Sequence, residues 1–193
     1  MLSPSEQPYH HLFFLILLLL AFVNPSSTLS RKDYNYGFSL STFSPAGRLL
    51  QVDLASAASQ KGTPCVAWKD PATGAVKVLT PIALPSPLAL RPLAPKITQA
   101  TPTTYMSYAG SPQDYRLVVS AVLTSANSWY RLRGSHPPVN AVAHMAARVV
   151  HGCTQRPGAR PLGVSLVIAG EGRVFRVGAG GDVQEAERGE IDR

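Results

Sequence analysis

Two adjacent amphipathic segments in the middle of the chain constrain its fold more than any other feature. Ser111-Pro112 combines a capping hydroxyl with a proline in the first turn, and the apolar spacing after it predicts a helix as far as Arg133. Gly134 ends that helix, and Pro137-Pro138 begins a second one that is predicted to end near His151. Two consecutive helices of this kind need an apolar sheet to pack on.

Residues with high β propensity lie on both sides of this helix pair. Their alternation and their flanking turn residues predict five strands, in residues 65–69, 75–79, 103–109, 163–169 and 173–177. Residues 81–102 contain six prolines, a density that excludes a central strand over most of the segment and predicts an extended loop. Strands, two helices and further strands in this order predict an α+β domain with antiparallel sheets packed on the helices.

A charge-free apolar segment, residues 12–23, lies near the N-terminus. As a helix it would rise about 18 Å, which is short of the roughly 30 Å hydrocarbon core of a bilayer. It has the length of a signal-peptide core and small residues follow it, but no lysine or arginine precedes it. Residues 1–33 therefore form a separate extension with three open interpretations: a targeting signal, an anchor, or the product of an incorrect start codon.

The composition argues against several classes of protein. Hydrophobic residues make up 45% of the 193 residues and charged residues 15%, which favours a globular core over bulk disorder. The formal net charge is +7, but the basic residues are dispersed, so no nucleic-acid partner is expected. Cys65 and Cys153 form no CxxC pair, and we expect two buried thiols in a reducing compartment rather than a zinc site or a disulfide scaffold.

The sequence offers no established catalytic or metal-binding constellation. GxSxG, HExxH and phosphate-binding glycine motifs are absent. His144 and His151 lie about 10.5 Å apart along a helix, too far to share one metal ion, and are interpreted as solvated surface residues. Residues 178–181 (GAGG) follow a strand but precede no helix, which indicates a flexible turn. We therefore expect no catalytic residue, no cofactor and no metal ion.

A more specific pattern precedes the first hairpin. A β-prone run at residues 36–43 is followed by a turn and a short helix, predicted for residues 48–60, and this region contains a set of residues at fixed spacing: Tyr36, Phe43, Ser44, Pro45, Gly47, Arg48, Gln51 and Asp53. A second block, residues 114–116 (DYR), opens the first long helix, and a third, Arg160-Pro161-Leu162-Gly163, precedes the apolar strand. Together the three blocks resemble the proteasome α-type subunit family, and the closest likeness within it is to the α2-type subunits.

This resemblance covers residues 34–180 and implies both a fold and a role. The implied fold is α+β, a four-layer αββα sandwich of the Ntn-hydrolase type, C-terminally incomplete here because the last helices and strands of the family fold are missing. The implied role is that of a non-catalytic subunit in a seven-membered α ring with β subunits beneath it, acting in ubiquitin-dependent protein catabolism in the cytoplasm and nucleus. Ring contacts are expected at the patterned residues, including Arg160, Pro161 and Gly163, and residues 181–193 are expected to form a frayed polar tail.

Some positions depart from the family pattern. Leu54 stands where family members usually have tyrosine, and Gly37 where many have aspartate, in the cluster that holds the N-terminal gate of the ring. Pro81 and Ile82 lie near the place of the family's lysines, which receive the C-terminal tails of regulatory ATPases. Gating by this chain and docking of the regulatory particle are therefore expected to be impaired.

The related β-type subunits are threonine proteases whose nucleophile is an N-terminal threonine. Gly62-Thr63 resembles their cleavage junction, and Lys96 stands near the place of their assisting lysine. Pro64 follows the threonine, however, and Thr80 occupies the neighbourhood of the expected aspartate. The chain is therefore not expected to be an enzyme.

An alternative role stays open on the sequence alone. The chain could be a secreted or membrane-tethered orphan binding module that retains part of the proteasome-subunit fold. Residues 12–23 favour this alternative, whereas the three blocks favour the ring subunit.

Overall fold

The computed structural model describes residues 39–70, 73–81, 95–156, 158–186 and 190–192. The extension 1–33, Tyr36, Gly37 and Ile82 lie outside these residues. The described helices are α1 (Leu50–Gln60), α2 (Pro112–Arg133) and α3 (Val139–Gln155). The described strands are β1 (Cys65–Lys69), β2 (Val76–Leu79), β3 (Ile97–Thr101), β4 (Thr104–Gly110), β5 (Val164–Gly170), β6 (Arg173–Val177), β7 (Val183–Glu185) and β8 (Glu190–Asp192).

The strands form two antiparallel sheets. One has five strands in the order β3-β4-β5-β6-β7, and the other has three in the order β2-β1-β8. Helices α2 and α3 pack on one face of the five-stranded sheet, while β1 and β2 pack on its other face. The expected α+β fold is confirmed.

Strand β5 is buried on both faces because it lies between the helix pair and the second sheet. Leu166 and Ile168 contact the helix side of the core, whereas Val167 packs with Cys65 and Val174 between the sheets. The alternation of side chains along a strand explains this division. It also explains why the sequence of β5 is a continuous apolar run rather than an alternating one.

Helix α2 begins and ends at the residues predicted from the sequence. The Ser111 hydroxyl accepts a hydrogen bond from the Asp114 amide at 3.4 Å, and Gly134 ends the helix in the left-handed region at φ 67°. Helix α3 continues to Gln155, beyond the predicted end at His151, because Cys153 still packs against the core.

Two expectations about irregular segments were wrong for residues that the structure describes. Edge strand β3 lies at the end of the segment predicted as a loop, where residues 96–101 contain no proline, and residues 82–94 of that segment lie outside the described residues. The tail expected to fray instead contributes β7, which pairs with β6, and β8, which pairs with β1. Main-chain hydrogen bonds at a sheet edge do not require an apolar sequence, so the polar composition misled the prediction.

The described residues form three of the four layers that the resemblance implies. Of the described helices, α2 and α3 cover the five-stranded sheet, and none packs extensively against the three-stranded sheet. In the same part of the chain, no helix is both long and apolar enough to cross a membrane.

The position of a side chain in the core or on the surface predicts how much its replacement by alanine lowers the free energy of unfolding. Ile168→Ala removes a side chain that is fully buried in β5, and we expect a loss of about 2–5 kcal/mol in the free energy of unfolding. Leu132→Ala removes a side chain that is 86% exposed, and the change should stay within about 0.5 kcal/mol. Chemical denaturation of both variants measures this, and equal losses would contradict the described core.

Candidate functional site

The first block folds into a closed turn that leads into α1. The Ser44 hydroxyl accepts a hydrogen bond from the Arg48 amide at 3.2 Å, and the Ser44 amide donates to the Arg48 carbonyl at 2.9 Å. The Gly47 amide donates to the Ser44 carbonyl at 2.8 Å, and Gly47 takes a φ of 74°, which favours glycine. Ser44 is buried, so the patterned serine and glycine have clear local roles.

Phe43, Pro45 and Arg48 of the first block are exposed, whereas Asp53 is half-buried. Arg48 Nε lies 2.9 Å from Asp53 Oδ2, an ion pair that joins the turn to the first turn of α1. Phe43 is 60% exposed and Pro45 is also exposed. Residues 39–43, predicted as part of a β-prone run, form no strand.

The third block meets the first at a surface groove. Gln51 of α1 and Arg160 line this groove together with residues 39–41 and 158–159. Pro161 and Gly163 follow Arg160 into the interior and are buried. The structure thus brings the first and third blocks, which are about 110 residues apart in sequence, to one place.

The second block joins the third through a buried carboxylate. Asp114 accepts hydrogen bonds from both terminal nitrogens of Arg160, with Nη2–Oδ1 at 2.7 Å and Nη1–Oδ2 at 3.0 Å. The Gly163 amide donates to Oδ2 at 2.9 Å, and Arg160 Nη1 also donates to the Pro161 carbonyl at 3.2 Å. The side chain of Asp114 is 3% exposed, whereas that of Arg160 is 65% exposed.

The protonation of Asp114 is set by these contacts. Burial alone would raise the pKa of its carboxyl, but the hydrogen bonds from Arg160 and Gly163 and the charge of Arg160 outweigh burial and lower it. The same pairing raises the pKa of the Arg160 guanidinium. Both partners are therefore charged at neutral pH, and the bidentate geometry orients the segment that leads into β5.

Three glycines allow α1, β4 and the start of β5 to touch. A methyl group on Gly62, just after α1, would overlap the backbone of Gly110. Gly110 has a φ of 109°, and a methyl group there would overlap the Gly163 carbonyl and lie 2.9 Å from Ser59 Cα. Gly163 faces Ala58, whose Cβ would lie 3.3 Å from an added methyl group. We call Gly62, Gly110 and Gly163 the glycine joint.

The sequence patterns missed two parts of this site. From the sequence, Asp114 is interpreted only as part of the block that opens the first long helix, and its pairing with Arg160 is not predicted. Gly62 is singled out from the sequence only beside Thr63, in the resemblance to a cleavage junction, and Gly110 is not singled out, so their mutual contact is not predicted either. No local pattern in the sequence links these positions, so neither contact could be found from the sequence alone.

The resemblance to a threonine nucleophile has a partial structural counterpart. Lys96 Nζ donates to the Thr63 carbonyl at 2.9 Å and also contacts the Thr63 hydroxyl, and it lies 4.5 Å from the centre of the Tyr108 ring. Burial lowers the pKa of Lys96, and the nearby Cys65 opposes that change only in part. The chain runs continuously from Gly62 to Thr63, so the Thr63 nitrogen is a peptide nitrogen and not a free amine. Catalysis by an N-terminal threonine needs that amine as its base.

The histidines and cysteines considered as metal ligands in the sequence do not form a site among the described residues. His144 is exposed, and His151 bonds through Nδ1 with the Gly180 carbonyl at 3.3 Å and through Nε2 with Gln155 at 2.8 Å. Among the described residues, no group of three or more His, Cys, Asp or Glu side chains could hold a metal ion. Cys65 is buried and Cys153 is half-buried, and the described residues contain no disulfide between them.

Comparison with known proteins finds one family model and several sequence relatives that match most of this chain. Residues 59–187 match the family model described as proteasome subunit. The chain is 38% identical to proteasome subunit alpha type-2 of Saccharomyces cerevisiae over 136 residues, which cover 70% of this chain and 54% of the yeast protein. It is 38% identical to the alpha type-2 subunit of Oryza sativa subsp. indica over 138 residues, 72% of this chain and 58% of that protein. It therefore spans a little over half the length of these relatives.

The buried carboxylate predicts a specific dependence of stability on pH. Because the pKa of Asp114 is lowered on folding, its contribution is present above its unfolded pKa of about 3.9 and is lost as the pH falls through the folded pKa. Asp114→Asn should cost about 1–3 kcal/mol in the free energy of unfolding at pH 7, because hydrogen bonds to a charged group are lost. It should cost much less near pH 2. Denaturation curves at both pH values measure this, and an equal cost at both would show that the ion pair is not important for stability.

The close contacts at the glycine joint predict that Gly110→Ala lowers the free energy of unfolding more than Gly134→Ala does. Gly110→Ala combines positive φ with overlap against backbone atoms, and we expect a loss above about 3 kcal/mol or a failure to fold. Gly134→Ala also has positive φ but has open space around the added methyl group, and it should cost only about 1–2 kcal/mol. Thermal denaturation of the matched pair tests this. A cost for Gly110→Ala no larger than that for Gly134→Ala would contradict the close approach.

Proposed function

The chain belongs to the proteasome subunit family, and on that premise we propose that it is a non-catalytic structural subunit of the α ring of the proteasome core particle. Its partners in this role are other α subunits in a seven-membered ring and β subunits beneath them. It takes part in ubiquitin-dependent protein catabolism in the cytoplasm and nucleus. The relatives in yeast and rice carry alpha type-2 names, which supports an α-type role over a β-type one.

One observation supports this proposal most strongly: α1 leads directly into β1 and is docked on the glycine joint. The helix packs against β4 and β5, two interior strands of the five-stranded sheet, and Gly62, directly before Thr63, lies against the backbone of Gly110. A catalytic subunit of the β type would need this junction to be cleaved. A helix held at this junction by close backbone contacts is consistent with a structural subunit.

Two exposed apolar surfaces supply the contacts that a ring subunit needs. The first, the α1 surface, consists of Phe43 and Leu54, which are 60% and 40% exposed. The second, the α2 end, consists of Tyr130 and Leu132. Helix α2 is about 33 Å long and its N-terminus lies at the glycine joint, so the two surfaces lie far apart. We assign the α1 surface to a neighbouring α subunit and the α2 end to the β ring, because heterologous ring contacts need separate surfaces.

Gating and regulatory docking are not part of the proposed role. Leu54 is an exposed apolar residue and cannot make the hydrogen bond that a tyrosine hydroxyl offers. Pro81 is exposed and carries no charge for a tail carboxylate, and Ile82 lies outside the described residues. We propose that neighbouring subunits perform both tasks.

No described residue favours the alternative of a secreted or membrane-tethered binding module. That alternative depends on residues 12–23, which lie outside the part of the chain that the structure describes.

Co-purification tests the proposed role directly. A C-terminally tagged full-length chain should recover other proteasome α and β subunits in one large particle, identified by mass spectrometry. Leu54→Arg places a charge on the α1 surface and should lower this recovery at least tenfold. Leu79→Arg, at an exposed leucine of β2 outside both surfaces, is the matched control and should leave recovery unchanged.

Two results would contradict the proposal. One is recovery of the tagged chain alone, with equal solubility of the wild type and both variants. The other is peptide hydrolysis by the purified chain that disappears in Thr63→Ala, since a structural subunit has no such activity.

A further inference from the structure

The side-chain amine of Lys96 is a nucleophilic group that the proposed structural role does not use. Lys96 directly precedes edge strand β3 and is half-buried. Its backbone carbonyl accepts a hydrogen bond from the Ser107 hydroxyl at 2.9 Å, which joins the residue to the neighbouring strand β4. The backbone from which this side chain extends is therefore held in place at the edge of the sheet.

The groups that hold the Lys96 amine carry no carboxylate. Nζ donates hydrogen bonds to the Thr63 carbonyl, at 2.9 Å, and to the Thr63 hydroxyl, and it lies 4.5 Å from the centre of the Tyr108 ring. Among the residues that the structure describes, no Asp or Glu forms an ion pair with Lys96. The amine is therefore partly removed from water without an acidic side chain to compensate its charge.

This environment favours the neutral form of the amine. Burial is the main cause that lowers the pKa of Lys96 from its ordinary value of 10.5, and Cys65 of β1 opposes that change only in part. Tyr108 of β4 is the other titratable group facing the amine, and burial raises the pKa of its phenol, so it stays uncharged at neutral pH. Because only a neutral amine is nucleophilic, Lys96 has a larger reactive fraction at neutral pH than an ordinary lysine.

We propose that Lys96 is a site of direct acylation, at which its amine accepts an acyl group from a small thioester. The nitrogen lone pair attacks the thioester carbonyl carbon and forms an amide C–N bond. The carbon–sulfur bond breaks, sulfur leaves with the bonding electrons as a thiolate, and the extra proton on nitrogen passes to water. The product is an uncharged amide, so acylation removes the charge that burial disfavours. The site lies outside the α1 surface and the α2 end, and it does not depend on the proposed ring role.

Residue-resolved acetylation rates of the full-length chain test this proposal, with phenyl thioacetate as the thioester and peptide mass spectrometry as the readout. At pH 7, Lys96 should be acetylated at least fivefold faster than Lys61, an exposed lysine directly after α1. The ratio of the two rates should fall to one or below at about pH 11, because an ordinary lysine is then mostly neutral as well. A merely structural role of Lys96 predicts no such pH profile.

A carboxylate placed beside the amine gives an independent arm. Thr63→Asp favours the ammonium form and should slow acetylation of Lys96 at pH 7 at least fivefold, while the rate at Lys61 stays within twofold. Thr73→Asp, the same change at an exposed position between β1 and β2, is the matched control and should behave as the wild type. Circular dichroism establishes that each variant is folded, and the wild-type pH profile decides the proposal if Thr63→Asp unfolds.

Three results would overturn the assignment of Lys96 as an acylation site. The first is acetylation of Lys96 no faster than that of Lys61 at pH 7. The second is a ratio of the two rates that stays constant between pH 7 and about pH 11. The third is an equal effect of folded Thr63→Asp and Thr73→Asp on the rate at Lys96.

Discussion

The buried carboxylate of Asp114 is the interaction on which the arrangement of this domain depends. It receives two hydrogen bonds from Arg160 and one from the Gly163 amide, and thereby fixes the start of α2 to the segment that leads into β5. A buried carboxylate without these donors would carry a large desolvation penalty, so the two segments must adopt one relative position. Because the three residues of the glycine joint have no side chains, the backbone of α1 can contact the backbone of β4 beside the same carboxylate.

This constraint connects the fold to the proposed role. Helix α1 packs at the glycine joint with Leu50, Ala55 and Ser59 buried, and Leu54 lies on its exposed side. Phe43, in the segment before the helix, is exposed as well. The helix also precedes Thr63, and its close packing favours a junction that stays uncleaved, without the free amine that a threonine protease needs. One structural feature thus supports both the absence of catalysis and the presence of an apolar contact surface.

Features set by local chemistry were predictable from the sequence. The capping serine and the terminal glycine of α2, the apolar strand β5 and the turn at Ser44 and Gly47 depend on neighbours within a few residues. The Asp114–Arg160 pair joins residues 46 positions apart, and no local pattern encodes such a contact. Strands β3 and β7 were missed for a different reason, because edge strands are stabilised mainly by their partner's backbone and show little apolar periodicity. Phe43 belongs to the family pattern, yet its exposure became evident only from the fold.

The central claim is that the α1 surface contacts another subunit of the ring, and site-specific photo-crosslinking tests it most directly. A photoreactive amino acid at position 54 of the full-length chain, activated in cells, places the reactive group on the exposed side of α1. The account predicts a crosslink to one particular proteasome α subunit, with little crosslinking from the same group at the exposed position 79. Crosslinks to unrelated proteins, or equal yields from both positions without any proteasome subunit, would contradict it.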